Sequence, residues 1–368
     1  MPSNKALSPA PKKILLIVLR YLGDVLMTTP MLRSLRLAYP DAQLDVLVYG
    51  CTAFMLEGNP DVDHIISIPN RPKLPDYWDL LRKIFRRYDL AMAVQTGDRP
   101  FFNALLAAPF RVAVVPRKPA TGWWKRYFLQ RWTEFDNVNT HTVLQNLKLL
   151  DLIDVPSHFS VTPPRSNNYP QLTQRFAFLA NAEPYVVLHP LPQFSYKRWT
   201  VEGWIELGQY LKGSGYKLVL SGGGEQEELE YVANIVSKLP KGTVNLAGQV
   251  SLPELTHIIA QAKLFVGPDT GTTHLATATG IPVITLFGPS NPVKWAPWPS
   301  AYQHKKNPFK NKGSQQIDNV FLVQGEGECV PCHQEGCDRH RGSYSHCLDK
   351  LSPETIIKAT NQALAAQK

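Results

Sequence analysis

A chain of 368 residues, 44% apolar and 10% aromatic, has length for two domains and material for two cores, which excludes global disorder. Its formal charge of +9 points to acidic partners, and no nucleic-acid motif accompanies that charge. The longest apolar run near the N-terminus, Ile14 to Leu19, stops at Arg20 and is too short for a membrane span or a signal-peptide core, so a cytoplasmic location is expected.

Short apolar runs alternate with helix-period segments from Lys13 to Val115, the pattern of parallel βαβ units. Strands are predicted at 13–19, 43–49, 64–68, 89–95 and 111–115, and helices at 24–38, 75–87, 100–108 and 141–151. Residues 155–184, rich in Pro, Ser and Asn, read as a link with a short helix at 171–181. The alternation then restarts, with strands at 185–189, 217–221, 243–246, 264–266 and 282–287. Helices follow at 200–213, 225–238, 252–262, 272–279 and 353–366. The fold class is therefore α/β, two doubly wound Rossmann-like domains whose ligands bind at the carboxyl ends of the strands, in a central cleft. The expected boundaries are a first domain at 1–160, a linker at 161–184, a second domain at 185–350 and a terminal helix at 351–368.

The most informative segment is Val266 to Pro289. A strand ends there, Asp269-Thr270-Gly271 turns, and a helix opens whose first N–H groups lack internal acceptors and suit an anion. Gly271 permits close backbone approach, Thr270 and Thr272 offer hydroxyls, and His274 lies one turn in. An ordinary capped turn explains the same residues.

This segment, Asp269-Thr270-Gly271 with His274 followed by Gly280-Ile-Pro-Val-Ile-Thr-Leu-Phe-Gly-Pro289, resembles the signature of glycosyltransferase family 9, the bacterial lipopolysaccharide heptosyltransferases. Ile14 to Leu32, with its Gly23-Asp24 turn, is similar to the family's opening strand and first helix. His189-Pro190 followed by Lys197-Arg198-Trp199 lies where the family carries a phosphate-binding basic residue. The resemblance implies the two-domain GT-B architecture, an ADP-heptose donor, the lipopolysaccharide inner core as acceptor, and inverting displacement with no cofactor. It also implies a terminal helix that returns to brace the first domain. The tail from Cys329 to His340 looks most like the branch that adds the third heptose.

Sugar transfer from a nucleoside diphosphate needs a base at the acceptor hydroxyl and positive charge on the leaving group. The resemblance makes Asp24 the base; position alone also allows it to cap a helix starting at Val25. Lys197 or Arg198 would meet the diphosphate and make a metal unnecessary, or else be surface charge ahead of the helix at 200. The turn Ser221-Gly222-Gly223-Gly224-Glu225 opens another helix toward ligand, with Gly222 and Gly223 as nucleoside-binding candidates. It lacks the full dinucleotide pattern. Glu254 matches a family glutamate associated with the nucleoside, and equally completes a Ser251-Leu-Pro-Glu254 capping box. Asp61-Val-Asp63 reads as a turn.

Cys329, Cys332, Cys337 and Cys347 cluster in a C-x2-C-x4-C-x9-C spacing, which reads as a structural zinc site or as reduced thiols in a loop; no metal enters the chemistry. Basic and aromatic residues mix at 77–87 and 123–132, suited either to the inner face of the cytoplasmic membrane or to core packing with solvated charges. Other readings keep the fold with a UDP-sugar donor or an epimerase reaction, or make the chain a non-catalytic nucleotide-sugar or lipid A binding protein.

Overall fold

Runs such as Ile14-Leu15-Leu16-Ile17-Val18 are apolar on both sides of the pleat because both sheet faces are covered, and all five side chains are at most 1% exposed. The computed structural model describes residues 6–117, 122–166, 169–181 and 183–366. The expected linker falls partly outside them, at 167–168 and 182. The chain divides into two compact units, Met1–Pro164 with Gln303–Lys306, and Arg165–Tyr302 with Asn307–Lys368.

The first unit carries β1 (Lys13–Val18), β2 (Gln43–Tyr49), β3 (His64–Ile68), β4 (Leu90–Ala93), β5 (Phe110–Val115) and β6 (Arg131–Glu134), all parallel in the order β3-β2-β1-β4-β5-β6. Its helices are α1 (Leu22–Leu26), α2 (Thr29–Ala38), α3 (Leu74–Ile84), α4 (Asp98–Ala107) and α5 (Thr142–Asp151). One core layer packs Leu15 and Ile17 of β1 against Leu80 and Ile84 of α3 and Phe101 and Ala104 of α4. The helix expected at 24–38 is two helices. Thr28 and Thr29 donate their hydroxyls to the Val25 and Leu26 carbonyls, and Pro30, with no N–H, opens α2. β6 was not foreseen: Arg131-Trp132-Thr133-Glu134 is a partly exposed edge strand without an apolar run.

The second unit carries β7 (Tyr185–Leu188), β8 (Lys217–Leu220), β9 (Val244–Asn245), β10 (Leu264–Pro268), β11 (Val283–Phe287), β12 (Gln315–Ile317) and β13 (Val320–Gln324). Their order is β12-β13-β11-β10-β7-β8-β9, parallel except for the β12–β13 pair. Its helices are α6 (Tyr169–Arg175), α7 (Ala177–Ala180), α8 (Val201–Gly213), α9 (Gln226–Lys238), α10 (Leu252–Ala260), α11 (Gly271–Ala278), α12 (Pro292–Trp295), α13 (His346–Asp349) and α14 (Pro353–Ala365). Two doubly wound units in tandem are the components of the GT-B fold class.

The terminal helix packs within the second unit. α14 sends Ile356, Ala359 and Ala363 into the second unit's own core, beside Trp204, Leu207 and Leu211 of α8 and Phe321 and Val323 of β13. Burying Ile356 alone is worth about 2 kcal/mol, so this apolar stripe fixes the helix where it lies. Among the described residues no helix is long and apolar enough to cross a membrane.

Candidate functional site

In each sheet the strand order reverses beside the first strand, between β1 and β4 and between β7 and β10. Carboxyl ends of strands at such a reversal are where doubly wound folds bind ligands. β10 ends at Pro268, and Asp269 follows with Thr270 as N-cap of α11, its hydroxyl accepting from the Thr273 N–H at 3.3 Å. The Thr273 hydroxyl donates to the Pro268 carbonyl at 2.6 Å, tying helix to strand. That capping takes up the Thr273 amide and leaves those of Gly271 and Thr272 at the positive helix end, without intrahelical acceptors by the geometry of a first turn.

Lys197 ends a short 3-10 turn, Ser195–Lys197, that follows β7. Its Nζ donates to Asp269 Oδ2 at 2.6 Å, with both side chains mostly buried. Arg198, the other candidate, goes elsewhere: successive residues leave the turn in different directions, and its guanidinium donates to Glu227 at 2.6 Å and lies over the Tyr231 ring. The lysine thus joins the Asp269–His274 group and the arginine does not.

His274 is 7% exposed, and its Nδ1 is buried with no hydrogen-bond partner. Burial pushes this imidazole down to about 4; the Asp269 carboxylate pulls the other way and Lys197 adds to the drop. His189, at the end of β7, is likewise taken to about 4 by burial, with its Nδ1 3.1 Å from the Ser221 hydroxyl. Both rings are neutral near pH 7. Below about pH 6.5 the unfolded chain protonates them while the fold resists until about 4, so stability falls through that window, by on the order of 3 kcal/mol per ring. Melting midpoints are expected to drop between pH 7 and pH 4.5, and less steeply in His189→Gln; equal slopes for both proteins would contradict this.

The Gly222-Gly223 turn follows β8. A Cβ on Gly222 would press on Val232 at 3.0 Å and Ala247 at 3.2 Å, so that glycine lets α9 pack onto the turn, whereas one on Gly223 would meet only the movable Glu228 carboxylate. Glu254 forms its capping box, accepting from the Ser251 N–H at 2.7 Å, and its other oxygen accepts from Arg175 at 3.1 Å. Both carboxylate oxygens are thereby engaged within the protein.

In the first unit, Asp24 is the third residue of α1 and not its cap; Tyr21 holds the cap position. Its carboxylate is 14% exposed and lies 3.7 Å from Arg20 Nε. Asp61 and Asp63 pair with Arg33 and Arg36, as turn residues would.

Among the described residues no group of three or more His, Cys, Asp or Glu side chains is arranged to hold a metal ion, so the zinc reading of the cysteines is not met. All four thiols are free; Cys329 and Cys337 are exposed. The loop is closed by its backbone instead, with the Cys337 N–H donating to the Tyr344 carbonyl at 2.9 Å. Burial, with Cys332 and Cys337 nearby, pushes the Cys347 thiol up to about 11. Sequence reading also missed the aromatic floor under Lys197, where Phe194 and Tyr196 stack at 5.8 Å and the ammonium lies within 6 Å of each ring centroid. No local pattern marks it.

The chain is 29% identical over 294 residues to lipopolysaccharide heptosyltransferase 3 of Escherichia coli, covering 76% of this chain and 84% of that one. Its fold is similar to the glycosyl transferase family 9 structure from Veillonella parvula, with TM-score 0.77, 20% identity and coverage of 96% and 97%. The E. coli ADP-heptose lipopolysaccharide heptosyltransferase II structure gives TM-score 0.73, 22% identity and coverage of 96% and 99%. The model of glycosyltransferase family 9 (heptosyltransferase) matches residues 79–322, most of the sequence, and the chain belongs to that family.

Proposed function

We propose that this heptosyltransferase takes ADP-L-glycero-D-manno-heptose as donor and the lipopolysaccharide inner core as acceptor, in one inverting displacement without a metal. The observation that carries the donor assignment is the Lys197–Asp269 pair at the start of α11, beside a buried imidazole with an unpaired nitrogen. A cation, first-turn amides and a neutral ring donor together suit a sugar diphosphate. The Asp24 carboxylate accepts the acceptor hydroxyl proton, and that oxygen forms a bond to the anomeric carbon. The bond from this carbon to the diphosphate breaks, and ADP leaves with the electron pair. Lys197, the Gly271 and Thr272 amides and the Thr270 hydroxyl meet the charge that develops, while the Gly222-Gly223 turn faces the nucleoside. Glu254 acts there through its cap. Resemblance of the Cys329–His340 tail supports the branching third heptose as product.

The experiment is ADP release from ADP-heptose with heptose-containing truncated lipopolysaccharide. Acceptor-dependent release, inhibited by ADP more strongly than by UDP, is expected. Tight ADP binding without release would leave a binding protein, and stronger inhibition by UDP would change the donor.

Work on such an acceptor supports a site at the inner face of the cytoplasmic membrane, with the outer side of α3, α4 and the 3-10 turn Trp123–Phe128 as the contact. Leu74 and Tyr127 are each 78% exposed and Trp78 62%, with Arg82 and Lys83 at the end of α3. Phe101, Phe102, Trp124 and Phe128 pack edge to face or tilted against one another, and Phe102 and Phe128 are themselves exposed. Lys125 is not among the cations offered, being buried against Asp98 and the Thr96 carbonyl. Trp78→Ala with Tyr127→Ala should weaken binding to anionic phospholipid vesicles about tenfold at unchanged turnover on detergent-dispersed acceptor. Unchanged vesicle binding would discard this face.

A further inference from the structure

We propose that the cysteine-rich segment 329–347 is a positioning strap for Lys197, acting through Arg341 and Ser345, neither of which touches substrate. The inference rests on the assignment of Lys197 to the donor diphosphate.

The segment leaves β13 and crosses the carboxyl ends of β11 and β13. The Gly325 N–H donates to the Phe287 carbonyl at 2.8 Å and the His333 N–H to the Pro289 carbonyl at 2.9 Å. The crossing is close enough to need glycine on both strands. A Cβ on Gly325 would run into the Cys347 carbonyl, and one on Gly288 would meet Leu348 at 2.7 Å and the Cys347 thiol at 3.2 Å. Beyond the crossing the segment folds on itself: Gly336 has φ +82°, the Cys337 N–H reaches the Tyr344 carbonyl, and the Ser343 hydroxyl accepts from the Asp338 N–H at 2.9 Å. A segment anchored at its base and closed at its tip can hold another loop in place.

What it holds is the turn that carries Lys197. The Ser195 N–H donates to the Arg341 carbonyl at 3.0 Å, and the Ser345 hydroxyl, 3% exposed, donates to the Tyr196 carbonyl at 2.6 Å. The Arg341 guanidinium lies 5.1 Å from the centroid of Phe194, the ring stacked on Tyr196 beneath the lysine. On the far side, Trp199 Nε1 donates to the Leu351 carbonyl at 2.8 Å. The residues just before Lys197 and the indole just after it are therefore all tied to the stretch 341–351. A flexible four-carbon side chain can deliver its charge to one point only if its backbone and floor are fixed, and small misplacements of such groups cost rate more than binding.

The test is a double-mutant cycle on ADP release. Ser345→Ala is expected to lower kcat about tenfold with donor KM within about twofold. On a Lys197→Ala background the same change should cost nothing further, because the residue it steadies is gone. An equal loss on both backgrounds, or no loss from Ser345→Ala in the wild type, would overturn the strap. If Ser345→Ala does not fold, Arg341→Ala serves in the same cycle with an expected loss of about threefold, since its side chain is 60% exposed. Wild-type rates in Lys197→Ala would bring down the diphosphate assignment and the strap with it, an outcome distinct from the strap failing alone.

Discussion

Asp24→Ala is expected to remove about three orders of magnitude from acceptor-dependent ADP release while leaving ADP affinity within about twofold. The reason is positional. Asp24 is held in α1 directly after β1, beside the strand-order reversal of the first unit, and the helix does not use it as a cap. Arg20 Nε lies 3.7 Å from its carboxylate, and losing that pair costs at most about 1 kcal/mol of stability. Asp24→Asn keeps the shape and removes the base, so it separates packing from chemistry. Kinetics of both variants beside their thermal melts decide the matter, and turnover near wild type in Asp24→Asn would sink the assignment.

Lys197→Ala should lower kcat by a factor of about 10² to 10³, the usual effect of deleting one group that meets developing negative charge. It should also destabilise the fold by about 3 kcal/mol, because Asp269, with its side chain 6% exposed, loses the cation 2.6 Å away. The two effects come apart in Lys197→Met with Asp269→Asn, which removes both charges: the melting temperature should recover while the rate stays low. Recovery of rate along with stability would mean that the ion pair is only structural. Arg198→Ala, whose partner is Glu227, should change the rate less than about threefold.

Much of this was legible in the sequence because it is local. The strands at 13–19 and 264–266, the turn at Asp269-Thr270-Gly271 and the cap of α11 depend on residues within a few positions of one another, and they form as read. β13 was missed although Val320-Phe321-Leu322-Val323 is a buried run, because it follows a loop stretch after Trp298 and pairs with β11 and, antiparallel, with β12. Lys197 could be told from Arg198 only by partners 72 and 29 residues away. The grip of Ser345 on Tyr196 spans 149 residues and has no local signature. Glu254 shows the opposite limit: its capping box was readable from four residues, whereas the Arg175 side chain on its second oxygen was not.

The seat of α14 sets an order of events during synthesis. The first unit has all six strands once Glu134 has emerged, so its sheet can pair early. The second unit waits for Ile356, Ala359 and Ala363 to fill its core, so a ribosome that stalls after Asp349 has already released Lys197, Asp269 and His274 into a half that cannot close around them. Such a nascent chain would show protease-resistant residues from the first half and protease-sensitive ones from the second, and the 13 residues Pro353–Ala365 would decide whether the second half escapes degradation.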